Sequence, residues 1–225
     1  MINERKQKMR ITALVFYLVL YALWAIFECL IVPKLQAQTL PVSIRVIKEI
    51  GCKTVFWSLP ALLLILHNSD SMFIKKGEMI GDWKKANTYL TILGFMVLFT
   101  VWIFLPNYRQ NGTIVIGPSF GVESAVASVF IGISEELVFR GTLLNTALKD
   151  REPWIVFSGN AVMFLLIHFP VWCREGVFVT YITSFAFIQL IILSLIFSWT
   201  FVKTKSIIVP IILHTYWDML CFMVE

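Results

Sequence analysis

Along this chain apolar residues come in long unbroken blocks, not in the alternation of a half-buried strand or the narrow stripe of a surface helix. The blocks occupy residues 11–32, closed by Pro33; 54–66; 89–105, ended by Pro106; 120–148; 154–169, stopped by Pro170; 177–202; and, after KTKS, 207–224. The second is short, but the amphipathic stretch VSIRVIKEIGCK before it lengthens it. A bilayer-crossing helix needs roughly 20 residues. The pattern therefore predicts an all-α, polytopic transmembrane helix bundle of about seven spans. It forms a single membrane domain over residues 1–225, with N-terminal spans in 1–110 and a C-terminal core in 120–225.

Composition agrees. The 225 residues are 58% hydrophobic and 15% charged, with a mean hydropathy of +0.80; a soluble domain is closer to one half apolar and about a quarter charged. The basic head MINERKQKMR could open a signal peptide, but its apolar body exceeds the usual length of about 7–15 residues and PKLQAQ offers no cleavage site. It reads as a retained span.

Loop charge sets the expected orientation. With the N-terminus inside, the inner segments hold Arg5, Lys6, Lys8, Arg10, Lys75, Lys76, Lys84, Lys85, Lys149, Arg151, Lys203 and Lys205. The outer ones hold Lys34, Arg45, Lys48, Lys53, Arg109 and Arg174, so the balance favours a cytoplasmic N-terminus despite a basic first outer loop. The net charge of +5 suits an anionic inner leaflet and calls for no nucleic-acid partner. Cys29, Cys52, Cys173 and Cys221 are scattered and read as buried thiols of apolar helices.

Ionisable groups inside the apolar blocks need a different explanation. SEELVFRG, residues 134–141, puts two carboxylates and a guanidinium in mid-segment. A charge at mid-bilayer costs about 2.5–3.5 kcal/mol on insertion scales, so such residues face a bundle interior or a wet cavity. Glu136 and Arg140 are four apart, acid first, the favourable order for an ion pair. Glu135 lies about 100° around the helix from Glu136 and has no partner at that spacing. On the Glu136 face, Ser124, Ser128 and Gly132 form a small-residue series that admits a neighbouring helix closely, which places this helix at the centre.

Two later blocks carry polar side chains as well. FLLIHFP sets His168 four residues after Phe164, and HTYWD sets His214 and Asp218 on one helix face. Asp218 is positioned to orient the His214 imidazole or share its proton. His67, at the end of a span beside Asn68 and Asp70, reads as interfacial. An acid, two histidines and a second acid on three apolar helices make a hydrolytic constellation.

These motifs resemble the three signatures of the CPBP family, which covers CAAX proteases and bacteriocin-processing enzymes and is also called the Abi family. They are Glu135-Glu136-x-x-x-Arg140, Phe164-x-x-x-His168 and His214-x-x-x-Asp218. The run FSWTFVKTKSIIVPIILHTYWD also resembles the family's stretch before its last motif. The resemblance covers residues 120–225 and implies a catalytic core there. It implies Glu135 as general base, His168 as the group that holds and polarises the water, and His214 facing the oxyanion. Arg140 would fix Glu136, and Phe164 would pack the His168 turn. Where family members carry Asn in place of Asp218, the amide can donate to an oxyanion; aspartate could serve protonated or by holding His214 as imidazolium.

The resemblance implies an intramembrane endopeptidase of a bacterial plasma membrane, acting on a membrane-associated peptide or protein, with bacteriocin maturation or self-immunity as its setting. No cofactor is expected. A zinc-dependent version is the alternative, although no H-E-x-x-H spacing is present and His214 with Asp218 is the only local ligand pair. A non-enzymatic immunity or binding protein on the same scaffold is another alternative. A proton-coupled transporter lacks the repeated halves it would need. The eight tryptophans read as interfacial anchors, and Trp217 as core packing.

Overall fold

The computed structural model describes residues 2–38, 44–81, 85–118, 120–149 and 151–224. Val42 and Ser43 of the amphipathic stretch, and Lys84 of the charge count, lie outside them. Among the described residues every regular element is helical. Helix α1 covers residues 2–36, α2 46–68, α3 Ala86–Asn111 and α4 122–147. Pro153–Leu166 is α5, Phe169–Arg174 α6, Phe178–Thr183 α7, Phe187–Thr204 α8 and Ile208–Val224 α9. Five helical runs are long and apolar enough to cross a membrane: Gln7–Gln36, Val46–Ser71, Ala86–Asn111, Pro153–Arg174 and Phe187–Thr204. The charge-bearing α4 and the shorter α9 complete the set of seven.

Proline does not end the segments where the apolar pattern predicts. Pro33 is carried through because residues Phe27–Ile31 just before it widen into a π-helical turn. There the Val32 N–H bonds five residues back to Phe27 O, which loosens the turn that a proline ring would crowd. Pro106 lies inside α3, which runs on until Gly112, at φ +70°, turns the chain and donates its N–H to Tyr108 O. Pro170 breaks the helical run at Ile167–His168 and opens α6 instead of stopping it. The expected single span over 177–202 is divided: α7 ends at Thr183, and Phe185, at φ 59°, turns the chain before α8 begins.

The burial pattern is that of a protein in lipid. Ile11, Leu14, Leu18, Leu23 and Leu30 on α1, and Leu90, Leu93, Val97 and Val101 on α3, are exposed. They need no protein partner when hydrocarbon surrounds them. By contrast α4 is buried along most of its length and packs between α2 and α9. The small-residue series permits this. A Cβ on Gly132 would meet Thr215 Oγ1 at 2.5 Å and the Ile211 carbonyl oxygen at 3.2 Å, so α9 lies against bare backbone. Ser124 and Ser128 are fully buried beside it, and Arg45 donates to Ser124 Oγ.

Leu137–Leu144 of α4 is π-helical. Side chains bond to its carbonyls: Asn160 Nδ2 of α5 donates to Phe139 O at 3.0 Å, and Thr142 Oγ1 to Leu137 O at 3.0 Å. Tyr17 OH of α1 donates to Met163 O at 2.8 Å, which docks α1 on α5. His67 is exposed, as expected of an interfacial residue. The four cysteines are free thiols, as expected, but not buried ones: Cys29 and Cys173 are exposed, and Cys52 and Cys221 half-buried.

Candidate active site

Three helices and one helix break bring the polar residues together. On α4, Glu136 Oε1 accepts from Arg140 Nη1 at 2.9 Å, as the four-residue spacing predicts. Arg140 Nη2 donates to both the carbonyl oxygen (3.0 Å) and Oγ (2.8 Å) of Ser194 on α8. The guanidinium is fully buried, 4.8 Å from the Phe164 ring centre and 5.3 Å from that of Phe197. Its charge is thus held by one carboxylate, two oxygens of a neighbouring helix and two aromatic faces, the planar fork that lysine cannot reproduce.

Glu136 does more than pair with Arg140. Its Oε1 also accepts from His214 Nδ1 on α9 at 2.7 Å, and the imidazole stacks on Phe197 with centroids 4.9 Å apart and planes at 19°. The group that fixes His214 is therefore Glu136, not Asp218. His214 Nε2 lies 3.6 Å from Asp218 Oδ2 and 3.8 Å from Glu135 Oε2, beyond a direct hydrogen bond to either. Among the described residues neither carboxylate oxygen has a hydrogen-bond partner.

Glu135 is not unpaired. Lys53 Nζ of α2 lies 2.8 Å from its Oε1 and 2.8 Å from Glu49 Oε2. It also sits 5.2 Å and 5.6 Å from the ring centres of Trp57 and Trp24. Beyond it Lys48 pairs with Glu49 at 3.0 Å and with Glu28 at 3.4 Å, and Arg174 closes on Glu28 at 2.7 Å. Lys48, Lys53 and Arg174, which the sequence reading counts as outer-loop charge, are thus consumed in an ion-pair chain that ends on Glu135. The one local signal for it was the four-residue spacing of Glu49 and Lys53 in VIKEIGCK.

His168 occupies the break before α6, with its Nδ1–H donated to Phe164 O at 2.7 Å, so the lone pair of a neutral ring lies on Nε2. Phe164 packs against it, centroids 5.1 Å apart. His168, Glu135, His214, Asp218 and Lys53 line one cavity of about 270 Å³, walled by Trp24 and Trp57. Those two tryptophans are buried (5% and 2% exposed), not interfacial, while Trp217 packs edge-on against Phe99 and Trp102 as core. Among the described residues no three His, Cys, Asp or Glu side chains are placed to hold a metal ion.

Each of the six residues singled out from the sequence thus lies in this cluster: four on the cavity wall or facing it, Glu136 and Arg140 immediately behind His214. No curated protein and no solved structure matches the chain. Residues 117–220 match the family described as "Type II CAAX prenyl endopeptidase Rce1-like", a stretch that runs from just before α4 to Leu220 of α9 and contains all six. Over that segment the chain is similar to the CPBP, or type II CAAX prenyl endopeptidase-like, membrane proteases.

Proposed function

We propose that the protein is a metal-free intramembrane endopeptidase in which Glu135 and His168 activate a water and His214 stabilises the oxyanion. The observation that carries this reading is the meeting of Glu135, His168 and His214 on one cavity. Lys53 holds Glu135 Oε1, which leaves Oε2 as the base. His168, its Nδ1–H committed to Phe164 O, offers Nε2 to the water's second hydrogen. The water oxygen adds to the peptide carbonyl carbon as its proton passes to Glu135. His214, ion-paired through Nδ1 to Glu136, donates Nε2–H to the oxyanion. The tetrahedral intermediate then expels the amine, which takes the proton back from Glu135, and a carboxylic acid and an amine result. Glu136 and Arg140 are positioning residues.

The absence of zinc from this reaction is supported by the donor set. The Lys53 ammonium already sits 2.8 Å from Glu135, and Glu136 is committed to Arg140 and His214. A second cation beside Glu135 would meet an ammonium at contact distance.

The cavity is lined by Trp24, Lys48, Glu175, Cys221 and Phe222, all at the end of the bundle opposite the chain's N-terminus. With the N-terminus cytoplasmic, it opens outward. Removing the paired Lys48, Lys53 and Arg174 from the outer count strengthens that orientation. The substrate is then a membrane-associated peptide met at the outer face of a bacterial plasma membrane, which suits bacteriocin maturation or self-immunity.

The test is cleavage of a membrane-inserted peptide library by the purified protein and by Glu135→Ala, each with and without a zinc chelator. Cleavage by the wild type that survives chelation and is lost in Glu135→Ala supports the proposal. Loss on chelation restores a metalloprotease. No cleavage by either form moves the weight to a binding scaffold, and then Glu135→Ala cells would keep any immunity.

A further inference from the structure

A second cleft, sharing no lining residue with the catalytic cavity, lies between α1, α4 and α5 at the opposite end of the bundle. It has a volume of about 310 Å³. Arg10 and Arg151 stand on its wall, and Leu14, Leu143, Ile155 and Met163 give it an apolar lining. Among the described residues the neighbouring hollow adds Lys149 and the acid Glu152. Thr146 and Asn160 also line the cleft. They are 2% and 4% exposed, and Thr146 Oγ1 and Asn160 Oδ1 have no hydrogen-bond partner. Buried polar atoms in native proteins are nearly always satisfied, so the Thr146 hydroxyl, a donor without an acceptor among the described residues, points to a ligand that accepts a hydrogen bond.

We infer that this cleft binds an anionic phospholipid. The wall offers the guanidinium of Arg151 for a phosphate at the membrane edge, the Thr146 hydroxyl for the ester layer, and aliphatic side chains for an acyl chain. Arg151 stands just before α5, Thr146 lies at the end of α4, and Leu143 of α4 and Met163 of α5 lie further along their helices into the bundle. A hydroxyl such as that of Thr146 donates to an ester carbonyl, and basic pockets between spanning helices are suited to anionic head groups. Gly159 keeps the wall open: a Cβ there would meet nothing within 4 Å.

The experiment is native mass spectrometry of the full chain from micelles doped with equal phosphatidylglycerol and phosphatidylcholine. The expected result is preferential retention of phosphatidylglycerol, lowered about fivefold by Arg151→Gln. Gly159→Leu, which fills the cleft and leaves both arginines in place, lowers retention as well while its unfolding temperature in phosphatidylcholine micelles is unchanged. Equal retention of the two lipids overturns the inference. So does wild-type retention by Gly159→Leu, which would reduce the arginines to surface charge. Conversion of a dimer to a monomer by Gly159→Leu also overturns it, since a second copy would then be the occupant.

Discussion

Replacing Lys53 with methionine keeps the length of the aliphatic stem and deletes one buried ammonium. Two carboxylates lose a partner at 2.8 Å, but unequally. Glu49 keeps Lys48 at 3.0 Å; Glu135 keeps only His214 Nε2, at 3.8 Å. The stranded charge is therefore Glu135, 4% exposed in the middle of the bundle. Removing one partner of a buried pair typically costs about 3–5 kcal/mol, or roughly 6–20 °C at about 2–4 °C per kcal/mol for a chain of this size. In the Glu135→Gln background the same substitution strands nothing and should cost about 1–3 kcal/mol less, the usual coupling of residues in one ion-pair network. The assay is thermal unfolding in detergent micelles for wild type, Lys53→Met, Glu135→Gln and the double variant. Peptide cleavage should be lost in Lys53→Met, because Glu135 is no longer held with one oxygen toward the cavity. A Lys53→Met protein as stable as wild type, or a double variant whose loss is the sum of the two singles, would refute the claim that Lys53 holds Glu135.

Other substitutions follow from the same packing. Gly132→Val should destabilise by about 1–3 kcal/mol through overpacking against Thr215 and the Ile211 carbonyl, whereas Gly94→Ala on α3, with nothing within 4 Å, should not lower the unfolding temperature. Arg140→Lys should cost about 1.5–3 kcal/mol for each charged hydrogen bond it cannot remake to Ser194 or Glu136; wild-type stability in that variant would mean a single ammonium suffices. Asp218→Asn should retain peptide cleavage, since its amide can donate to the oxyanion, while His214→Ala should lower the rate about 10²–10³-fold; the reverse ranking would mean that Asp218, not His214, is the group that matters.

What could be read from sequence was whatever depends on spacing within one helix. Glu136 with Arg140, and the Gly132 face that admits α9, both follow from the repeat of the α-helix. The Phe164 and His168 contact follows too, although the helix ends at Leu166, between the two. What could not be read were pairings between spans. Glu135 looked free because its partner, Lys53, is 82 residues away on α2. His214 looked tied to Asp218 because both lie on α9, yet Glu136 of α4 comes closer. Helix ends were misjudged for a related reason: proline reads as a stop on the assumption of a regular helix, and the π-helical turn before Pro33 removes that assumption.

The ion-pair chain has a property that no single pair shows. Arg174, Lys48, Lys53 and Arg140 are matched by the buried Glu28, Glu49, Glu135 and Glu136, one buried carboxylate for each cation, while the exposed Glu175 reaches Arg174 from solvent. A balanced set is what a low-dielectric interior tolerates, because an uncompensated charge there is expensive. In the proposed reaction Glu135 becomes neutral as it takes the water's proton, and the negative charge reappears on the carbonyl oxygen beside His214. The total does not change; a charge moves across one cavity, between a lysine-held carboxylate and a glutamate-held imidazolium. Three of the four cations and two of the four carboxylates balancing that movement come from outside α4 and α9, and Glu28, Lys48, Glu49 and Lys53 lie outside residues 117–220 altogether. The N-terminal spans therefore set the electrostatics of a site whose reacting groups all lie in the C-terminal core.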